Sequence, residues 1–310
     1  MKFIDGKLPR NIHFNWDKNL KPIEYIDSGE ILDIFVPDSS IFQIRENSKT
    51  EDLKFIDSKK FDGAVGPIYV NGAEPGDALE INILDINIGN WGWSALLKDF
   101  GLLKNEFDDK LIIWHISDGY AQTNNNFLKN IRIPVNPFLG VIGVAPKNGI
   151  YGMIPPQYFG GNMDNKILSK KGSKLIIPVF VKGALFSIGD PHAAQGDGEV
   201  CGTAIEAQAN VKIKINVIKN YGKKILRGTT KGYNFKGDLI ISMGIGKNIY
   251  NASKMAVKNM IEIMKNYGLS PEETYVLCSI IGDLRISEIV DYPNFLVSCT
   301  LPRKILKFKK

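Results

Sequence analysis

Ala209-Asn-Val-Lys-Ile-Lys-Ile-Asn-Val217 is the most regular stretch of this chain: Val211, Ile213, Ile215 and Val217 alternate with Asn210, Lys212, Lys214 and Asn216. A period of two sets one apolar face against a core and one polar face toward water, which is the pattern of a half-buried strand. Outward from it, Ile31-Val36, Leu79-Ile86, Leu111-Ile116 and Lys174-Val181 repeat the theme, each bounded by Gly, Pro, Asn or Asp. Short β-branched runs between turn residues predict strands, so the first two thirds of the chain read as mostly β.

The tail changes period. From Asn251 to Tyr267 the apolar residues recur at helical spacing, and Gly268 offers a left-handed end. Ser270, Pro271 and Glu273 then supply an N-cap, a first-turn proline and a capping-box acid, so a second helix over 270-281 follows and the two form a hairpin. A short helix near Ser287-Val290, a final strand over Asn294-Leu301 and a solvated basic end, PRKILKFKK, complete the expectation. The fold class is therefore mainly β, a β-rich α+β chain. No repeat or flexible linker divides it, which predicts a single unit over 1-310.

Composition narrows the function. The chain has 310 residues, 44% of them apolar, with only three cysteines and a net charge of +6. That length buries a large core, and Cys201, Cys278 and Cys299 lack the spacing of a zinc knuckle or a disulfide framework. A mild positive excess, with Trp91, Trp93 and Phe100 among few basic residues, gives no nucleic-acid surface. The apolar run Leu175-Gly189 is interrupted by Pro178 and Lys182 and is too short to span a membrane, and the N-terminal stretch lacks the apolar segment of a secretory signal, so a cytoplasmic protein is expected.

The densest polar cluster, Ile188-Glu206, contains Asp190, His192, Gln195, Asp197, Glu199 and Glu206 directly after an apolar run, with four glycines. Asp190 and His192, two apart in a bent loop, can reach one metal ion, and a neutral imidazole nitrogen suits zinc. Asp197 and Glu199 can complete the site or position water, with Glu199 as a proton shuttle. The competing reading is a polar turn whose acids accept backbone hydrogen bonds. Asn162 and Asp164, in Tyr158-Asp164, can project toward the same loop, whereas Val65-Asp77 reads as a strand-entry turn. His13 and His115 read better as structural histidines. Cys201 suits an inert buried thiol, and Ser187 lacks a nucleophile elbow. Gly244-Ile-Gly246 fails the spacing of a phosphate-binding loop.

Five blocks then occur in one order: GPIYVNGAEPGDALEINI (66-83), PFLGVIGVAP (137-146), PPQYFGGNMD (155-164), GALFSIGDPHAAQGDGEVCGTAIE (183-206) and LSPEETYVLCSIIGDLRISEIVD (269-291). Together they resemble the acetamidase/formamidase family over nearly the whole chain. The resemblance implies a β sandwich or barrel scaffold with a C-terminal helical hairpin, commonly a homodimer, and metal-dependent hydrolysis of small linear amides such as formamide or acetamide to a carboxylate and ammonia. The expected metal ligands are Asp190 and His192, with Asp164 or Glu206, and the expected ion is zinc first and calcium second. Glu199 and Asp197 are the catalytic candidates, and Asn162 and Gln195 the substrate-binding ones. The small residue usual between Asp190 and His192 is Pro191 here, which fixes the local backbone. The alternative is a noncatalytic metal- or small-ligand-binding protein on the same scaffold, which would release no ammonia from an amide.

Overall fold

The computed structural model describes residues 1–308, which form two large sheets and a helical segment. The nine-stranded sheet runs in the order Lys2–Asp5, Ile31–Val36, Ala209–Ile218, Ala78–Ile88, Lys174–Pro178, Arg227–Tyr233, Gly237–Gly246, Phe295–Pro302, Asp283–Glu288. Ala209–Ile218 lies antiparallel between Ile31–Val36 and Ala78–Ile88, with Val211 opposite both Ile34 and Ile86. Val211, Ile213 and Ile215 are fully buried and Asn210 is exposed, as the alternation predicts. Lys174–Pro178 stops short of the expected Val181, at a residue with no N–H to continue a ladder.

The second sheet has eleven strands, and Phe186–Ala194 is its middle. Phe138–Gly143 pairs along one side of it; Ala64–Val70 and Ile205–Glu206 pair along the other, one after the next. The chain crosses repeatedly between the sheets, and one apolar core takes Leu32, Ile34 and Val211 from the first and Val65, Val141 and Phe186 from the second. Each sheet runs from one unpaired edge strand to another, so among the described residues neither closes into a barrel.

Helix α1, Ile249–Met264, is capped by the Asn248 side chain and ends through a 3-10 turn at Gly268, whose φ is +73°. Helix α2, Pro271–Ile280, carries the expected capping box: the Glu273 N–H donates to Ser270 Oγ (3.1 Å) and the Ser270 N–H to Glu273 Oε2 (2.7 Å). Gly244 and Gly246 have an architectural use. A Cβ on Gly244 would stand 2.2 Å from the Ala252 carbonyl oxygen and 2.3 Å from the Ala256 nitrogen, so their smallness lets α1 lie directly on strand Gly237–Gly246.

Two expectations for the tail need correction. Ser287–Val290 is not helical; Asp283–Glu288 is a strand, because Leu284 and Ile286 register with Cys299 and Val297 of the last strand and no capping signal opposes the pairing. The basic end is not simply solvated: Arg303–Phe308 makes a 3-10 turn, and Ile305 and Leu306 pack on the apolar cluster under α1. Lys309 and Lys310 lie outside the described residues. None of the described helices is long and apolar enough to cross a membrane.

Candidate metal centre and active site

Strand pairing assembles the site. Asp190 and His192 lie on the central strand Phe186–Ala194, and His192 faces Glu206 across the antiparallel register with Ile205–Glu206. Asp164 follows the short strand Gly160–Asn162, whose partner Phe138–Gly143 is also the neighbour of the central strand, so Asp164 arrives beside Asp190. Glu199 comes from the loop after Ala194, Asp62 from the approach to Ala64–Val70, and Asp291 from the turn after Asp283–Glu288. Four of these acids have left-handed backbones: Asp62 (φ 55°), Asp164 (46°), Asp190 (54°) and Glu199 (47°). Such conformations are costly away from glycine and gather where function holds them, and here all four aim a carboxyl at one place.

Around His192 the distances are short. Nε2 lies 3.0 Å from Asp190 Oδ2, 3.2 Å from Glu206 Oε2 and 3.8 Å from Glu199 Oε1. Neither near carboxylate is aligned for a hydrogen bond, so Nε2 is unpartnered, as are both oxygens of Asp164 and Oδ1 of Asp190. Nδ1 meets Gln195 Oε1 at 2.7 Å and lies 3.8 Å from Asp164 Oδ1. Phe138 meets the imidazole edge-on at a centroid distance of 5.1 Å. Gly140, next to Asp190 across the register, keeps room for the acids: a Cβ there would stand 2.3 Å from Asp190 Oδ2 and 2.6 Å from Asp164 Oδ1.

The electrostatics are those of crowded, dehydrated acids. Among the described residues, His192 is the one base within 4 Å of Asp164, Asp190, Glu199 or Glu206. Burial opposes its charged form, but the carboxylates of Asp190 and Glu206 overcome this and hold its pKa well above the ordinary value. Burial raises Asp190 to about 7, and burial with Asp164 beside it carries Glu199 well above the usual carboxyl range. Burial would raise Glu206 too, but His192 and the Ala204 N–H bring it below its ordinary value. Asp291 is pushed by burial to about 7. Buried carboxylates without cations either keep a proton or recruit a positive ion.

A divalent cation fits this donor set. Asp164, Asp190 and His192 form one group of ligand atoms mutually within 4.8 Å, and His192, Glu199 and Glu206 form another. Both offer carboxylate oxygens with an imidazole nitrogen, suited to a hard or borderline ion, and the unpartnered atoms are those such an ion would satisfy. The acids open into a cavity of about 250 Å³. Asp62, Asp190, Glu199, Glu206 and Asp291 make its polar end, and Phe61, Trp93, Leu97, Phe100 and Ile154 its apolar wall.

Asp164, Asp190, His192, Glu199 and Glu206 are thus brought together. Asn162 lines the same cavity, its Nδ2 donating to Asp291 Oδ2 (3.1 Å) while Oδ1 is left unpartnered. Gln195 sits behind His192, outside that cavity. Asp197 is placed elsewhere: two residues before Glu199 on the same loop, it turns out to Arg285, whose Nε donates at 3.0 Å, and to Lys166 at 3.4 Å. Engaged by two cations and with a third of its side chain exposed, it belongs neither to the ligand groups around His192 nor to the cavity lining. Ser187 does not meet His192; its hydroxyl donates to His13 Nε2 (2.8 Å), because the Asn15 carbonyl takes the Nδ1 proton (2.8 Å). Of the suggested pocket aromatics, Trp93 lines the cavity, Phe186 is buried in the main core, and Tyr158 packs against Phe159 and Phe180.

The residues that sequence reasoning missed are Asp62, Asp291, Ser39 and Gly140. Ser39 donates to Glu206 Oε2 (2.9 Å), and neighbouring Asp38 accepts from Trp93 Nε1 (3.0 Å), tying the loop to the cavity wall. Gly140 and Asp291 lie inside two of the quoted blocks, but no local spacing relates either to His192.

Known proteins share this chain's sequence pattern and fold. The profile of the Acetamidase/Formamidase family matches residues 6–153 and 151–308. A formamidase of Methylophilus methylotrophus is 28% identical over 96% of this chain and 90% of its own, and an acetamidase of Mycolicibacterium smegmatis is 26% identical over 86% and 84%. The crystal structure of an acetamidase from Bacillus halodurans superposes with a TM-score of 0.89 at 30% identity, covering 98% of both chains. A match along nearly the whole chain, carried equally by sequence and by fold, supports an amidohydrolase-type reaction and places this chain in the acetamidase/formamidase family.

Proposed function

We propose that this chain, read as one unit over 1-310 with its two sheets packed as a sandwich, is a metal-dependent amidohydrolase. Its substrates are small linear amides, formamide or acetamide, cleaved with water to a carboxylate and ammonia. The observation that carries the reading is the unpartnered, buried Nε2 of His192, ringed by Asp190, Glu206 and Glu199 at the polar end of a cavity of about 250 Å³. His192, Asp190, Glu206 and Asp164 would hold the ion, zinc before calcium because an imidazole is in the set. Once bound, a divalent ion supplies Lewis acidity, which acidifies water and polarises a carbonyl oxygen.

The chain's own groups do the rest. Glu199 is the proton carrier: buried beside Asp164, its carboxyl has a raised affinity for a proton, which suits a group that takes one from water and gives it to the departing nitrogen. Asn162 presents its free Oδ1 to the cavity, an acceptor for the amide N–H, while its Nδ2 is fixed on Asp291. Phe61, Trp93, Leu97, Phe100 and Ile154 receive the acyl group and keep water from it. Asp197 we assign to holding the Glu199 loop rather than to the reaction.

The test is ammonia release from a panel of short amides, before and after chelation, with zinc, calcium or magnesium added back. Turnover should vanish with the metal and return with zinc, and Glu199→Gln should fall by roughly 10²–10⁴-fold with its metal content intact. Undiminished turnover by the chelated enzyme would sink the metal reading. No ammonia from any amide would favour a binding protein on this scaffold.

A further inference from the structure

We infer that Gln195 is a positioning residue: it fixes the tautomer of His192, so that Nδ1 carries the proton and Nε2 is the nitrogen offered to the metal. This rests on the metal reading above and assigns Gln195 a role different from contact with substrate.

The inference follows from what each atom can do. Gln195 Nε2 donates to the backbone carbonyl of Asp164 at 3.1 Å. A carbonyl oxygen only accepts, so the amide cannot be turned over without setting two acceptors face to face. Gln195 Oε1 is therefore the atom 2.7 Å from His192 Nδ1. An amide oxygen is also an acceptor only, so Nδ1 must be the donor in that bond. In a neutral imidazole the other nitrogen, Nε2, then carries the lone pair. Nε2 is the atom that has no hydrogen-bond partner and faces Asp190, Glu206 and Glu199.

A second consequence concerns Asp164, which lies on the Nδ1 side of the ring at 3.8 Å. With Nδ1 protonated, the imidazole serves the group containing Glu199 and Glu206, and Asp164 can join only through its proximity to Asp190. The Gln195 amide also bridges the two segments, because its donor half holds the backbone of Asp164 while its acceptor half holds His192. Each of its polar ends is already engaged, and it is not among the side chains lining the acidic cavity, so it is placed to act on the ring rather than on an amide bound there. Polar groups behind a metal-binding histidine commonly contribute 10–100-fold in affinity by fixing the ring and raising its basicity.

The experiment uses the zinc-loaded full chain. Histidine ¹⁵N spectra should show His192 protonated at Nδ1 and coordinated through Nε2. Equilibrium zinc titration should show Gln195→Leu binding about 10–100-fold more weakly. Gln195→Glu, whose carboxylate also accepts from Nδ1–H but sets an acceptor against the Asp164 carbonyl, should keep the Nδ1-protonated tautomer in the ¹⁵N spectra even where its zinc affinity falls. Zinc bound through Nδ1, or a Gln195→Leu variant that keeps wild-type zinc affinity while KM for the amide rises, would overturn the inference and return Gln195 to the substrate. A wild-type chain that binds no zinc at all would remove the metal reading itself, a different result from either of these.

Discussion

Gly140→Ala probes the centre most directly, because the added methyl group lands on the proposed ligands. Its Cβ would stand 2.3 Å from Asp190 Oδ2 and 2.6 Å from Asp164 Oδ1. Ordinary carbon–oxygen contacts are about 3.3 Å or longer, so one carboxylate must retreat by about 1 Å and the other by about 0.7 Å. The backbone does not forbid alanine: Gly140 sits in strand Phe138–Gly143 and is not among the residues with positive φ. The atoms in the way are the ends of side chains, so the chain should fold, with an overpacking cost at the low end of about 1–3 kcal/mol. Function should suffer more, since a 1 Å displacement in a reacting constellation costs roughly a hundredfold in rate. The assay pairs zinc titration and ammonia release with urea denaturation, and Gly143→Ala serves as the control. A Cβ at Gly143 presses instead on Trp16 (2.7 Å) and the Gly161 nitrogen (2.9 Å), so it should lose stability and keep zinc. Wild-type zinc affinity and turnover in Gly140→Ala would refute the idea that Asp164 and Asp190 act together at one ion.

Two further outcomes separate structural from chemical roles. His13 is buried, which drops its pKa from the ordinary 6.5 to about 4; protonation thus favours the unfolded chain, and its contribution is whole above pH 6.5 and lost as pH falls toward 4, about 3 kcal/mol in all. The urea-derived stability of wild type should therefore decline more steeply than that of His13→Gln between pH 6.5 and 4.5, and parallel curves would contradict the burial argument. Asp197→Asn should keep its zinc and lose no more than about 1 kcal/mol of stability, the usual range for a partly exposed ion pair; a rate loss as deep as that of Glu199→Gln would make Asp197 a catalytic residue after all.

How far the sequence could be read depends on the range of the forces involved. Strand Ala209–Ile218 and the two helices were legible because alternation, helical spacing, the Ser270 cap and Gly268 act within a few residues of themselves; the Asn248 cap, which starts the first helix two residues before Asn251, was not read. Asp190, His192 and Glu206 were legible because one short polar stretch carries all three, although the first two lie on strand Phe186–Ala194 rather than in the bent loop expected, with Glu206 on the strand paired to it. Asp62 and Asp291 were not, since only tertiary folding brings them to the cavity. Gly140 looked like a residue of an apolar block; the need for its smallness lies in two carboxylates from other segments. Asp197 and Glu199 show the opposite failure: two residues apart and chemically alike, they part company because the loop turns one toward Arg285 and the other toward His192. Ser287–Val290, expected as a short helix, falls at the end of a strand and in the turn after it, because pairing of Asp283–Glu288 with Phe295–Pro302 at the sheet edge acts over a longer range than any local signal there.

The same contrast bears on why the acids tolerate one another. A fold selected for stability alone would not bury Asp164, Asp190, Glu199, Glu206 and Asp291 around a single imidazole, because each buried carboxyl must give up water or keep a proton. Ion pairs elsewhere, such as Lys174 with Glu80 or Lys231 with Asp238, lie at exposed or half-buried positions where the cost is small. At the centre the chain spends its least permissive backbone, four acids at positive φ, to leave carboxyl oxygens and an imidazole nitrogen without partners. Gly140 opens the space, Ser39 and the Ala204 N–H hold Glu206, and Gln195 holds the ring. Groups held that firmly yet left unsatisfied are what the metal reading proposed above would explain: a small cation would meet their need with one atom's volume and leave the apolar end of the cavity free for an acyl group.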